Sequence, residues 1–109
     1  MTLSEERAAR NEALFREVNE RVKEVQAGFG DPDATEFVCE CADDGCATRI
    51  RVPLATYERV RSNPLHFLVL PGHERGDLEH VVERGEGFLV VEKDIPAAER
   101  VAELTDPRR

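Results

Sequence analysis

The sequence predicts an α+β protein, in which a long N-terminal helix is followed by a small domain of about four strands and two or three short helices. Two observations lead to this expectation. The first 27 of 109 residues contain neither Pro nor Gly, whereas the rest of the chain breaks into short apolar runs separated by Gly, Pro and Asp. We therefore assign residues 1–28 to an N-terminal helix and residues 29–109 to a small α+β domain that contains all the cysteines.

The helix is predicted over residues 2–27. Thr2 and Glu5 have the spacing of a capping box, and the turn-forming sequence GFGDPDA follows the helix. Apolar side chains at three- and four-residue spacing form one narrow stripe on an otherwise charged helix. The stripe consists of Ala8, Phe15, Val18, Val22 and Val25, with Leu14 beside it and Asn11 within it. It either packs on the chain's own domain or pairs with a second copy as a short coiled coil.

A β-hairpin is predicted over residues 36–52, where alternation places Phe37, Cys39 and Cys41 on one face of the first strand. The connecting sequence ADDG consists of turn-forming residues. Beyond the hairpin, PLATYERVRSNP and GDLEHVVERG are predicted as short helices, and HFLVL and GFLVVEK as strands. IPAAERVAEL is predicted as a final helix before a polar tail.

Acidic residues outnumber basic residues by 23 to 15, which gives a net charge of −8, but the charge is unevenly distributed. Residues 31–46 contain six acidic and no basic residues, whereas residues 47–61 contain four arginines and one glutamate. The overall charge argues against a nucleic-acid partner, because phosphates would be repelled. The arginines are either an ordinary solvated edge of the hairpin or a face for an anionic partner.

The chain contains no stretch of about 18 apolar residues that would predict a membrane span. Its first residues, MTLSEERAARNEALF, lack the apolar core of a signal peptide. We therefore expect a cytoplasmic protein with no membrane partner, in which thiols stay reduced. The odd number of cysteines also argues against a disulfide framework.

The three cysteines, Cys39, Cys41 and Cys46, lie within eight residues of one another. Zinc in structural sites takes four thiolate or imidazole ligands in a tetrahedron, so three cysteines need one further donor. His73 is the first candidate, because the turn PGHE can aim its imidazole at the hairpin, and His66 is the second. We predict a zinc site formed by the three cysteines and His73, which makes the α+β domain a metal-binding one.

Three more side chains are placed relative to this site. His80 lies on a segment predicted as an acidic helix and is expected at the surface. Three thiolates around one divalent ion leave a net negative charge. Arg49 or Arg51 on the neighbouring strand is expected to offset that charge.

Other interpretations of the cysteines stay open. One alternative is that the cysteines are buried core residues. A second is a strained, redox-active disulfide between Cys39 and Cys41, and a third is an iron–sulfur cluster. The chain resembles only the opening of the small iron–sulfur family whose signature begins Cys-x-Cys and continues with Cys-Asp-Gly-Ser-His. No phosphate-binding glycine loop, nucleophile elbow or two-histidine helix motif is present, so no catalytic residue is predicted.

Two stretches, FVCECADDGCATRIRVPLATYERVRSNPLHFLVLPGHE and VVERGEGFLVVEK, carry a resemblance that covers most of the chain. In them the chain resembles an uncharacterised family of small actinobacterial proteins with a Cys-Glu-Cys opening, a third cysteine and a Pro-Gly-His-Glu turn. The resemblance implies that Cys39, Cys41, Cys46 and His73 belong together, and it favours His73 over His66. It implies no activity.

These observations favour a zinc-stabilised, non-enzymatic adaptor or regulator that acts through protein–protein contacts. A protein partner is expected, and a homodimer through the N-terminal helix is the alternative use of the apolar stripe. The competing hypothesis is a sensor of redox state or metal, in which the same residues act as reactive thiols or as ligands of an iron–sulfur cluster.

Overall fold

The computed structural model describes residues 3–28, 34–43, 45–46 and 48–108. Within these residues it shows one long helix, five strands in two sheets and two short helices, which confirms the predicted α+β class. The elements in chain order are α1 (Leu3–Ala27), β1 (Thr35–Val38), β2 (Arg49–Val52), α2 (Leu54–Arg61), β3 (His66–Val69), β4 (Glu79–Gly85), β5 (Phe88–Lys93) and α3 (Pro96–Leu104). Thr2 of the predicted capping box and residues 29–33 of the predicted turn lie outside the described residues.

The strands form two antiparallel sheets. The first contains β1 and β2, and in the second β5 lies between β3 and β4. Side chains from both sheets and α2 share one buried core, in which the rings of Phe37 and Tyr57 stack with their centroids 4.2 Å apart. The pleat of β2 buries Ile50 and exposes Arg49 and Arg51. The predicted hairpin is therefore confirmed, with one face in the core and one in solvent.

The segment GDLEHVVERG, predicted as a helix, forms β4 instead. Its adjacent β-branched residues Val81 and Val82 favour an extended backbone, and the strand pairs with β5 as far as Gly85 opposite Phe88. Gly87, with φ of 79°, supplies the hairpin turn between the two strands. The helix prediction was wrong because pairing with β5 outweighs the helical propensity of Glu and Arg in this segment.

Helix α1 ends at Ala27 as predicted, but it packs on the rest of the protein mainly through polar residues. Its buried side chains follow helical spacing, and they are Ala8, Glu12, Arg16 and Asn19. Within the predicted apolar stripe, Ala8 is buried and Val22 packs partly against the core. Val18 and Val25, and Leu14 beside the stripe, are at least 40% exposed. The exposed part of the stripe therefore contributes little to packing within the chain, and its pairing with a second copy stays a prediction.

The polar face of α1 has its partners inside the protein. The guanidinium of Arg16 lies 4.3 Å from the centroid of the Phe67 ring and donates hydrogen bonds to two backbone carbonyls. The ammonium of Lys93 donates to the carboxylates of Glu12 and Glu79, and these three buried residues are called the charge cluster below. Burial raises the pKa of Glu12 to about 8, although the charge of Lys93 acts in the opposite direction.

Candidate metal centre

Cys39 and Cys41 follow β1 instead of belonging to it, because the strand ends one residue before Cys39. The N–H of Cys39 donates to the carbonyl of Thr48 at 2.9 Å, whereas the N–H of Glu40 donates to the carbonyl of Leu68 at 2.7 Å. The segment thus leaves the first sheet and joins β3 of the second. The predicted placement of both cysteines on a strand was wrong, because the backbone changes partner at Glu40.

Cys46 is brought back beside the other two cysteines by a tight turn. Its N–H donates to the carbonyl of Asp43 at 3.1 Å, and the carboxylate of Asp43 accepts the N–H of Gly45 at 2.9 Å. An aspartate that binds a backbone N–H two residues further on stabilises a turn locally. The described part of ADDG therefore forms the predicted turn, while Asp44 lies outside the described residues.

His73 comes from the turn that follows β3. Its N–H donates to the carbonyl of Leu70 at 3.0 Å, with Pro71 and Gly72 between them, and Gly72 has φ of 93°. Proline followed by a glycine at positive φ is the pattern of a type II turn. This local geometry places the imidazole of His73 beside the sulfurs.

The other two histidines lie away from the sulfurs. The Nε2 of His66 is 2.9 Å from the carboxylate of Glu92, so the second-choice ligand pairs with a strand residue instead. His80 is exposed, with its Nδ1 3.1 Å from the carboxylate of Asp94. It lies at the surface as predicted, but on β4 and not on a helix. The structure therefore places His73 in the cluster and separates His66 from it.

The sulfurs of Cys39, Cys41 and Cys46 and a ring nitrogen of His73 all lie within 4.8 Å of one another, and this group could hold a metal ion. The Nδ1 atom of His73 is 3.6 Å from the Sγ atoms of both Cys39 and Cys46. A tetrahedral zinc ion with Zn–S of about 2.3 Å and Zn–N of about 2.0–2.1 Å separates sulfur from nitrogen by about 3.6 Å. These two sulfur–nitrogen distances therefore match those of a tetrahedral zinc site.

The thiols are buried and influence one another. All three cysteines are free, and the backbone N–H of Leu70 donates to the Sγ of Cys39 at 3.3 Å. A hydrogen bond between the two thiols lowers the pKa of Cys41 to about 5 and raises the pKa of Cys39. Cys41 thus carries negative charge readily, whereas Cys39 retains its proton and would release it if a metal ion bound. This is the usual exchange when thiols become metal ligands.

The cluster is reached from an open pocket of about 490 Å³. Cys41 and His73 line this pocket, and so does Arg75. Arg49 and Arg51, which were predicted to offset the charge of the site, line a different groove. That prediction was wrong, because the alternation of β2 buries Ile50 and leaves both arginines on the solvent face of the hairpin.

Glu40, between the two cysteines, ties the centre to the rest of the protein. Its buried carboxylate accepts hydrogen bonds from Asn19 at 2.8 Å, from the hydroxyl of Tyr57 at 2.7 Å and from the N–H of Leu68 at 2.9 Å. Arg61 adds an ion pair at 3.7 Å. One carboxylate thus joins α1, α2 and β3 to the loop that carries the cysteines.

Sequence reasoning missed this role of Glu40. The available signal was its position between Cys39 and Cys41. In an extended segment alternate side chains point to opposite sides, so Glu40 points away from the side on which the two cysteines lie. A carboxylate turned into the core requires buried donors, and the chain supplies them from three elements.

Comparison of the chain with protein-family models, with curated proteins and with solved structures finds no match. The resemblance to the actinobacterial family therefore stays a prediction. Among the described helices, none combines the length and the apolar character needed to cross a membrane. The chemistry of the centre must accordingly be argued from its own donors.

Proposed function

We propose that this chain is a zinc-stabilised small protein that acts as a non-enzymatic adaptor or regulator, working in the cytoplasm through contacts with a protein partner. The observation that carries the proposal is the set of four donors from Cys39, Cys41, Cys46 and His73, all within 4.8 Å of one another. Thiolate and imidazole ligands suit zinc, and a reducing compartment keeps the thiols available for it.

A structural role for the ion is favoured over a catalytic one. Four protein donors fill a tetrahedral site, whereas catalytic zinc keeps a position open for water or substrate. The described carboxylates beside the centre are also occupied elsewhere. Glu40 is bonded within the core, and Glu74 accepts the N–H of Gly72 at 2.7 Å. Asp43, which lines the same pocket, accepts the N–H of Gly45, so none of these three described carboxylates is poised as a base. The protein is therefore proposed to act through its surface.

Elemental analysis of the purified full chain, together with its absorption spectrum, tests the metal assignment. We expect one zinc ion per chain and a colourless protein. Cys46→Ser and His73→Ala are expected to lose the ion, whereas His66→Ala, which changes a histidine outside the cluster, retains it. Charge-transfer bands in the visible spectrum would indicate an iron–sulfur cluster instead of zinc. Metal-free protein with three titratable thiols would overturn both assignments.

A further inference from the structure

A groove of about 730 Å³ runs between α1 and the first sheet. Val18, Val22 and Val25 of α1 line it together with Arg49 and Arg51 of β2. It shares no lining residue with the pocket at the metal centre. The groove is therefore a separate feature of the surface.

The apolar part of the groove is accessible. Val18 is 40% exposed and Val25 is 61% exposed, while Leu14, one turn before Val18, is 59% exposed. Positions 14, 18, 22 and 25 share one face of a helix. An apolar stripe left in solvent on a strongly charged protein is typical of a surface that another molecule covers.

The charged part of the groove is positive, in contrast to the whole protein. Its lining contains Arg21, Arg49 and Arg51 but only one carboxylate, that of Glu36, whereas the chain carries a net charge of −8. Within the described ranges, neither Arg49 nor Arg51 forms an ion pair. Arg21 is paired with Glu24 at 3.8 Å, so Arg49 and Arg51 supply most of the positive charge that a ligand in the groove would meet.

We propose that this groove binds an amphipathic helix of a partner protein whose apolar stripe is flanked by acidic residues. The valines match apolar side chains at three- and four-residue spacing, and the arginines match the flanking carboxylates. The inference names the partner class for the adaptor role proposed above and rests on that role.

A separate acidic helix suits the groove better than a second copy of this chain. In a symmetric pair of α1 helices, each residue near the two-fold axis meets its own copy. Arg21 lies between Val18 and Val25, so a pair whose two-fold axis passes near Arg21 would place two guanidinium groups together and would join two chains of net charge −8. An acidic partner instead places carboxylates beside Arg21.

Fluorescence anisotropy with designed peptides tests the proposal on the zinc-loaded full chain. The probe is a labelled helical peptide of about 18 residues, or about five turns, with leucines on one face and glutamates beside them. The matched peptide has lysine in place of every glutamate. We expect the acidic peptide to bind, with an affinity that falls as salt rises, and the basic peptide to bind at least about tenfold more weakly.

Charge reversal in the groove tests its location. The double variant Arg49→Glu with Arg51→Glu is expected to lower the affinity for the acidic peptide by about tenfold or more and to raise the affinity for the basic peptide. The control variant, Arg84→Glu with Arg100→Glu, changes net charge equally at exposed positions outside the groove and is expected to leave both affinities unchanged.

Three results would overturn the inference: equal binding of both peptides, no binding of either, or no effect of reversing Arg49 and Arg51. Sedimentation of the chain alone as a dimer that is broken by Val18→Asp would also overturn it, since a second copy would then cover the groove. Zinc content is measured in the same samples. Peptide binding by zinc-free protein contradicts the zinc proposal alone, and failed binding by zinc-loaded protein contradicts this inference alone.

Discussion

The metal centre and the charge cluster are both sets of ionisable groups inside the protein, but they differ in the source of their cation. The centre gathers three thiols and an imidazole beside an open pocket, where they could hold a metal ion from outside the chain. The charge cluster holds its own cation, because Lys93 lies between Glu12 and Glu79. The contribution of the metal centre to stability should therefore depend on metal, whereas that of the charge cluster should depend on its own side chains and on pH.

Removal of the metal should have the largest effect. Structural zinc supplies about 10–16 kcal/mol of apparent binding free energy, comparable to the whole folding free energy of about 5–15 kcal/mol for a small domain. We expect a chelator to abolish the cooperative thermal transition followed by circular dichroism, and added zinc to restore it. A chelated protein that melts at the same temperature would contradict a structural role for the ion.

Disruption of the charge cluster should have the next largest effect. Lys93→Met leaves two buried carboxylates without a cation, and breaking a buried ion pair in this way costs about 3–5 kcal/mol of unfolding free energy. Urea denaturation of the zinc-loaded protein measures the loss.

A matched triple variant sharpens the same comparison. Replacing the whole cluster, with Glu12→Leu, Glu79→Leu and Lys93→Met, removes all three ionisable groups together. We expect its stability to be equal to that of the native protein or greater by about 1–4 kcal/mol. Zinc content should be unchanged in both variants. Loss of zinc from either variant would show that the two regions are coupled.

Glu40 is the residue through which such coupling would pass. Glu40→Gln removes the negative charge beside Arg61 and places an amide N–H₂ among groups that already donate. We expect a loss of about 2–3 kcal/mol in unfolding free energy and about tenfold in zinc affinity, measured by competition with a chelator. Tyr57→Phe removes one donor only, and should cost about 1 kcal/mol while leaving zinc affinity unchanged.

The charge cluster should also make stability depend on pH. The pKa of Glu12 is raised in the folded protein from 4.5 to about 8, so its stabilising contribution is complete below pH 4.5 and is lost as pH rises through 8. In this window the folded state binds more protons than the unfolded state. Relative to Glu12→Gln, the unfolding free energy of the native chain should fall by about 1.4 kcal/mol per pH unit. Parallel pH profiles would contradict burial of Glu12.

The parts of the fold that sequence predicted correctly depend on local signals. A long run without Gly or Pro predicts α1, and the Pro71–Gly72 pair predicts the turn that carries His73. The group of candidate donors could be predicted because cysteines are rare and these are closely spaced. Strand β4 could not, because its conformation is decided by pairing with β5.

The burial of Glu12 and Arg16 was equally hidden from sequence reasoning. Charged side chains on a helix are solvated by default, and only partners elsewhere in the chain make their burial favourable. For Glu12 the partner is Lys93, 81 residues away, and for Arg16 it includes the carbonyl of Ala102, 86 residues away. A local sequence pattern does not indicate partners that are so far apart in the chain.

The position of His73 has a consequence for how the molecule opens. Cys46 and His73 are 27 residues apart, and β2, α2 and β3 lie between them. An ion bound to both residues would cross-link the ends of this loop and lower the entropy of every state in which the loop is unfolded. Amide hydrogens of these three elements should then exchange with deuterium as one cooperative unit, slower with zinc than without it, while α3 beyond the loop exchanges independently.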